Sequence, residues 1–131
     1  MKKKALITGV LLVLGFIFLV SPSAVADEYD GVWWSPEYIG PTSFFMVRQV
    51  GGTIAAISFE LGDEAPVTVF LGTLIGNTAQ MSSGALTPSF VLDVTATFSS
   101  DSSGTLTVNS CFPASECETP LGIPMPIQKL F

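Results

Sequence analysis

Histidine is absent from all 131 residues of the chain. Without an imidazole there is no Ser-His-Asp or Cys-His catalysis, no His-ligated metal, and no histidine to act as a general base near neutral pH. No glycine-rich phosphate loop occurs either, because Gly51-Gly52 has the composition of a tight hairpin turn. Of the common hydrolytic mechanisms, a pair of carboxylates of the kind that glycosidases use is what remains.

Basic residues are also scarce. Lys2, Lys3 and Lys4 account for three of the five, and they lie in a segment that we expect to be removed. The rest of the chain then carries Arg48 and Lys129 against eleven acidic residues, which is a net charge of −9. Phosphate backbones and anionic lipid headgroups repel so acidic a domain, and we therefore exclude nucleic acid as a partner.

The N-terminal segment predicts a cleaved signal peptide over residues 1–26. After the basic start, residues 5–20 form an apolar run, and Ala24-Val25-Ala26 provides the small residues that a signal peptidase requires. The alternative is an uncleaved membrane anchor, but this run is shorter than the roughly 20 residues that span a bilayer. We therefore predict export to the periplasm or the extracellular space, with residues 27–131 as a single β-domain.

The sequence has two cysteines, Cys111 and Cys117. In an exported protein, so close a pair predicts a disulfide across a short loop. A redox or metal site would favour Cys-x-x-Cys spacing or a neighbouring histidine, and the sequence has neither. We predict no metal and no cofactor.

Residues 27–131 predict an all-β domain. Glycine and proline interrupt the apolar stretches about every 8 to 12 residues, as in sandwiches and barrels, and no segment has helical periodicity. Residues 90–99 alternate strictly between apolar and polar side chains. Short turns between consecutive strands favour an eight-stranded antiparallel up-and-down barrel, with a β-sandwich as the alternative. The predicted strands are a short first one that holds both tryptophans and ends at Ser35-Pro36, followed by 43–50, 53–61, 67–74, 78–83, 90–99, 105–109 and 127–131.

Aromatic residues are concentrated near the start of this domain. The motif Gly31-Val32-Trp33-Trp34-Ser35-Pro36 holds both tryptophans. Adjacent residues of a strand point to opposite faces, so one tryptophan belongs to the core and the other to a contact surface. Trp33, Trp34 and Tyr38 are therefore candidate contact residues.

Strands 43–50 and 67–74 are apolar on both faces, although a soluble barrel needs one apolar face. We predict that the surplus face, around Phe44, Met46 and Phe70, meets a partner protein or a small apolar ligand. Self-association, lipid around a small outer-membrane barrel, and loops folded back over the face are the alternatives. We do not favour membrane association, because the strands barely reach the roughly 9 to 11 residues that span a bilayer.

Several short motifs follow one another along the chain. They are residues 31–36, Gln49 at the end of a Phe-containing strand, the run 53–56, Pro66, residues 72–76, Phe98 and Phe131. In this order they resemble a secreted bacterial β-module. The resemblance covers most of residues 31–131 and implies a periplasmic or extracellular module that often occurs in repeats, without implying an activity. Ser58 and Thr68 depart from it, standing where that family tends to carry aromatic residues. In architecture alone, the hairpin order is similar to avidin- and lipocalin-like barrels.

These patterns predict an exported, non-enzymatic β-barrel that binds a partner protein or a small apolar ligand. A structural or self-assembling envelope component is the first alternative. The second is a carboxylate-dependent hydrolase, although no spacing singles out two carboxylates that would face each other. Its candidate residues are Glu37, Glu60, Asp63, Glu64 and Asp93.

Overall fold

The computed structural model describes residues 27–38, 42–62 and 67–131, in which eight strands follow one another along the chain. Each strand pairs antiparallel with the next, and the first pairs with the last, so the sheet closes into a barrel. The predicted up-and-down barrel is confirmed, and the sandwich alternative is wrong. The predicted signal peptide lies outside the described residues. The strands are β1 (Gly31–Trp34), β2 (Ser43–Val50), β3 (Thr53–Glu60), β4 (Thr68–Ile75), β5 (Thr78–Ser82), β6 (Val91–Phe98), β7 (Ser103–Phe112) and β8 (Met125–Lys129).

The strand bounds agree with the sequence pattern except near the seam where the barrel closes. Strand β7 is longer than the predicted 105–109, and β8 begins at Met125 rather than at residue 127. Proline lacks a backbone donor, which argues against a strand through Pro126. Pro126 nevertheless pairs with Thr105 of β7, and its carbonyl oxygen accepts a hydrogen bond from Ser35 Oγ at 3.1 Å.

Alternate side chains of every strand fill the barrel interior. Trp33, Ile54, Phe70 and Val108 are each at most 1% exposed. The predicted alternation of residues 90–99 is confirmed in β6, where Leu92, Val94, Ala96 and Phe98 are buried and the polar residues between them are not. Small inward residues such as Ala56 lie opposite large ones such as Phe70, as in other small filled barrels.

A turn over residues 27–30 closes one end of this barrel. The ring of Tyr29 stacks on Phe98 with centroids 3.9 Å apart, and Trp33 Nε1 donates to the Tyr29 carbonyl oxygen at 2.9 Å. Asp30 accepts the backbone N–H of Gln49 and forms an ion pair with Arg48. The first described residues are therefore part of the packed structure.

The predicted disulfide between Cys111 and Cys117 is confirmed, with Cα atoms 6.0 Å apart. It ties the end of β7 to the short 3-10 turn Ala114–Glu116. Replacing both cysteines by serine should lower the free energy of unfolding by about 2 kcal/mol, because the unfolded chain regains the freedom of a seven-residue loop. Urea denaturation followed by circular dichroism measures this loss. The reduced wild-type protein should show the same loss, and an unchanged midpoint in either sample would contradict a stabilising role.

Candidate functional site

The barrel interior is occupied by its own side chains. The cavity among the described core residues has a volume of about 20 Å³, which is room for about one water molecule. Its lining is apolar and includes Trp33 and Phe70. A small apolar ligand would have to displace core side chains in order to enter.

Three of the six predicted contact residues belong to this core. Trp33 and Phe70 are 1% exposed and Tyr38 is 3% exposed. The ring of Tyr38 packs against Phe45 with centroids 5.0 Å apart, and burial raises the pKa of its hydroxyl to about 12. Tyr38 is therefore part of the core packing.

The prediction that Phe70 lies on the surplus face is wrong. Phe70 pairs with Ala56 of β3, whose side chain points into the barrel. Directly opposed residues of an antiparallel pair share a face of the sheet, so Phe70 points inward as well. Both faces of β4 are apolar, and its sequence pattern alone therefore does not fix which one is buried.

Trp34, Phe44 and Met46, the other three candidates, lie on the outside of the barrel. Val32, Met46, Ile57 and Val69 pair in sequence across β1 to β4 and form one continuous row. Beside this row, Trp34, Phe44 and Phe59 form a second row, and Ala55 with Leu71 forms a third. We call these nine outward side chains the apolar face: Val32, Trp34, Phe44, Met46, Ala55, Ile57, Phe59, Val69 and Leu71.

The apolar face is accessible at three of its side chains. Met46 is 52% exposed, Leu71 is 41% exposed and Ile57 is 36% exposed. Phe44 and Phe59 stack on each other with centroids 5.8 Å apart, which gives the second row a fixed shape. Contiguous exposed apolar surface of this kind marks interaction sites in soluble proteins.

The other half of the barrel exterior is polar. The outward residues of β5 to β7 pair in rows of hydroxyl and amide side chains, for example Gln80 with Thr95 and Thr95 with Thr107. The same barrel therefore builds one outer half from threonine, serine and asparagine and the other from aliphatic and aromatic residues. The apolar face is therefore a local feature of β1 to β4 and not a general property of the sheet.

Both basic side chains of residues 27–131 are engaged at the ends of the barrel. Arg48 pairs with Asp30, and Lys129 Nζ donates to the Glu28 carbonyl oxygen at 3.1 Å. At the end of β3, the Glu60 carboxylate accepts a hydrogen bond from Thr42 at 3.1 Å. Arg48 pairs with Ala55 of the apolar face, so the Arg48–Asp30 ion pair borders one side of that face, and Glu60 lies at its other side.

The carboxylates suggested for a hydrolase lie in different parts of the barrel. Glu60 ends β3, Asp93 lies on β6, and Glu37 follows β1. Strands β3 and β6 are not hydrogen-bonded neighbours. The remaining candidates, Asp63 and Glu64, lie outside the described residues. The geometry therefore pairs none of the three described carboxylates with another.

The size of the apolar face is what sequence reasoning missed, and the reason lies in β3. Its buried positions include Ala56 and Ser58, whereas Ile57 and Phe59 point outward. The two-residue turn at Gly51-Gly52 sets Val50 opposite Thr53. The residues of β2 that point inward therefore determine which residues of β3 point inward. A register count from that turn, rather than hydropathy, would have revealed the full face.

Comparison with known proteins found no matching family model, curated protein or solved structure. The resemblance to a secreted β-module therefore stays a prediction. Within residues 27–38, 42–62 and 67–131 no group of three or more acidic or cysteine side chains is placed to hold a metal ion. The helices in those same ranges are too short to cross a membrane.

Proposed function

We propose that the protein is an exported, non-enzymatic binding domain that holds a partner protein on its apolar face. The observation that carries this proposal is a continuous apolar surface across β1 to β4, exposed at Met46, Ile57 and Leu71, on a barrel whose core is already complete. Folding does not account for it, since the buried side of the same strands supplies the core.

The shape of the face favours a protein over a small ligand. Small molecules bind in concave sites that cover most of their surface, and the interior cavity of about 20 Å³ is far too small for one. The apolar face lies on the outside of a closed barrel and is therefore convex. A partner with a flat or concave apolar surface can cover it.

The area of the apolar face indicates how much of an interface it can supply. The nine outward side chains, each covering about 4.8 Å between strands and about 6.6 Å along a strand, occupy roughly 300 Å². A stable interface buries about 800 Å² on each partner. The partner should therefore also contact the polar rim, and the apolar face should supply its central, dehydrated part.

Charge determines which partner fits. Residues 27–131 carry a net charge of −9, and both of their basic side chains are already engaged. Two copies would repel each other, whereas a basic rim on a different protein would be attracted. We therefore commit to a partner with an apolar centre and a basic rim, rather than to self-association.

The outer-membrane alternative has less support than a soluble partner. Membrane barrels carry an apolar band around their whole exterior and a polar interior. Here the interior is apolar and half of the exterior is polar. Strands β1, β5 and β8 have four or five residues, fewer than the roughly 9 to 11 that a spanning strand needs.

Met46→Glu should weaken partner binding by about 100-fold, or about 2.7 kcal/mol, because it buries a charge at the centre of the interface. A photo-crosslinking residue at position 46 identifies the partner in the producing cells, and calorimetry with both purified proteins then gives the affinity. Thr95→Glu adds the same charge to the polar half and is the matched control, with binding expected to stay within about threefold.

Two results would overturn the proposal. One is equal weakening by Met46→Glu and Thr95→Glu, which would mean that added charge alone matters. The other is crosslinking at position 46 to a second copy of the chain, together with a concentration-dependent dimer in sedimentation. That outcome would establish self-association instead.

A further inference from the structure

A second surface feature lies on the polar half of the barrel. It is a shallow hollow of about 480 Å³ over the outer side of β4 to β7. The hollow begins at Leu71, the last member of the apolar face, and continues over polar residues. The side chains that matter for its chemistry are Leu71, Gln80, Ser82, Asp93, Thr95 and Asn109.

The hollow coincides with an irregularity in the sheet. Asp93 pairs with Ser110 and Val94 with Val108, so Asn109 is an extra residue in β7. Such β-bulges redirect side chains and are common next to functional sites. Here the bulge places the exposed Asn109 and Ser110 side by side over β6, with polar groups on both.

The side chains of the hollow are held in place by one another. Ser110 Oγ donates to the Asp93 carboxylate at 2.6 Å, and Asn109 Nδ2 donates to Thr95 Oγ1 at 2.8 Å. The Ser82 hydroxyl accepts the backbone N–H of Gly84 at 3.2 Å, and Ser82 lies directly opposite Asp93 in the pairing of β5 with β6. Asp93 and Asn109 are therefore oriented before any ligand arrives, which lowers the cost of binding.

Unused hydrogen-bonding capacity remains in this arrangement. A carboxylate has about four acceptor positions, and an amide offers a carbonyl acceptor and two donors. Asp93 uses one acceptor position for Ser110, and Asn109 uses one donor for Thr95. The free carboxylate positions of Asp93 and the free amide groups of Asn109 and Gln80 therefore offer both acceptors and donors across the hollow. The aliphatic side chain of Leu71 lies beside them.

Vicinal hydroxyl groups on a ring with an apolar side complement such a surface. Anionic ligands are disfavoured by the net charge of −9. A simple cation would meet Asp93 as the one carboxylate among the residues that line the hollow, which gives little attraction in water. We propose that the hollow binds a neutral saccharide, with Asp93 and Asn109 hydrogen-bonding its hydroxyl groups and Leu71 contacting its C–H face.

Amide chemical shifts of the mature domain, titrated with neutral trisaccharides, test this proposal. Maltotriose, cellotriose and tri-N-acetylchitotriose serve as probes, each up to about 20 mM. For at least one of them we expect a Kd of about 1 mM, as suits a shallow site worth about 4 kcal/mol. The shifts should concentrate at Gln80, Asp93, Thr95 and Asn109 and leave Phe44 and Ile57 unchanged.

Asp93→Asn should weaken that binding at least about tenfold, because a neutral amide is a poorer acceptor than a carboxylate. Asn109→Ala should have a similar effect. Asp101→Asn is the matched control, since it removes the same charge from the exposed β6–β7 turn and should leave the Kd unchanged. The hydrogen bond from Ser110 is the main reason that the pKa of Asp93 lies below its usual value, so binding should be constant from pH 8 down to about pH 5.

Three results would overturn the proposal: no saccharide shifting these amides at the highest concentration, equal weakening by Asp93→Asn and Asp101→Asn, or the same shifts from spermidine but from no saccharide. The apolar face shares only Leu71 with the hollow, and Met46 does not line it, so Met46→Glu should bind the saccharide normally. Failure at one surface therefore leaves the test at the other intact.

Discussion

Replacing Trp33 by alanine should lower the free energy of unfolding by about 3 to 5 kcal/mol. The indole is 1% exposed and lies against Phe98 at a centroid distance of 5.1 Å. Its removal would enlarge a cavity of only about 20 Å³ and leave the carbonyl oxygen of Tyr29 without its 2.9 Å donor. Such a loss is a large fraction of the 5 to 15 kcal/mol that stabilises a typical domain.

The neighbouring tryptophan provides the matched comparison. Trp34 is half-buried on the outside of the same strand, and Trp34→Ala should cost about 1 kcal/mol, because less of its apolar area leaves water on folding. Guanidinium denaturation followed by far-UV circular dichroism measures both variants. A larger loss for Trp34→Ala than for Trp33→Ala would contradict the assigned orientation of β1.

Gly72→Ala should destabilise the barrel by about 3 kcal/mol or more, near the upper end of overpacking effects. A methyl group at this position would overlap the backbone oxygen of Gln80 and lie 2.7 Å from the Cα of Met81. Both obstacles are main-chain atoms of β5, which cannot rotate away as the end of a side chain can. The pairing of β4 with β5 would have to shift.

Gly52→Ala is the control for that substitution. The nearest atom to a methyl group there is the Leu74 oxygen at 3.7 Å, an ordinary contact, so the midpoint should stay or rise slightly as the unfolded chain loses freedom. Thermal unfolding of the two variants beside the wild type gives the comparison. If both glycine variants unfold at the wild-type temperature, the close approach of β4 and β5 is wrong.

The architecture could be predicted because three independent signals agree. Turn residues recur at hairpin spacing, residues 90–99 alternate strictly, and helical periodicity is absent. An antiparallel meander of about eight strands then needs closure to avoid exposed edges. Which side chains of β4 point into the barrel could not be predicted in the same way. Both sides of that strand are apolar, and its phase follows from the pairing of Phe70 with Ala56.

The candidate sites were predictable to different degrees. The apolar face was inferred from Phe44 and Met46, which are outward, but its extension through Ile57 and Phe59 depends on the register fixed at Gly51-Gly52. The polar hollow has no signal in the sequence, because the bulge that creates it arises from the pairing of β6 with β7. Serine, threonine and asparagine are frequent throughout that region and do not single out one group of residues.

The seam between the first and last strands determines when this barrel can finish folding. Leu130 N donates to Val32 O at 2.8 Å, and Lys129 reaches Glu28 across a separation of 101 residues. The hairpins between consecutive strands are local and can form early, but contacts this distant in sequence form slowly. If the chain is exported from its N-terminus, as proposed, one edge of β1 stays unpaired until β8 has also been exported. Pairing of β8 with β1 is therefore the step that closes the barrel, and the core around Trp33 is complete only after it.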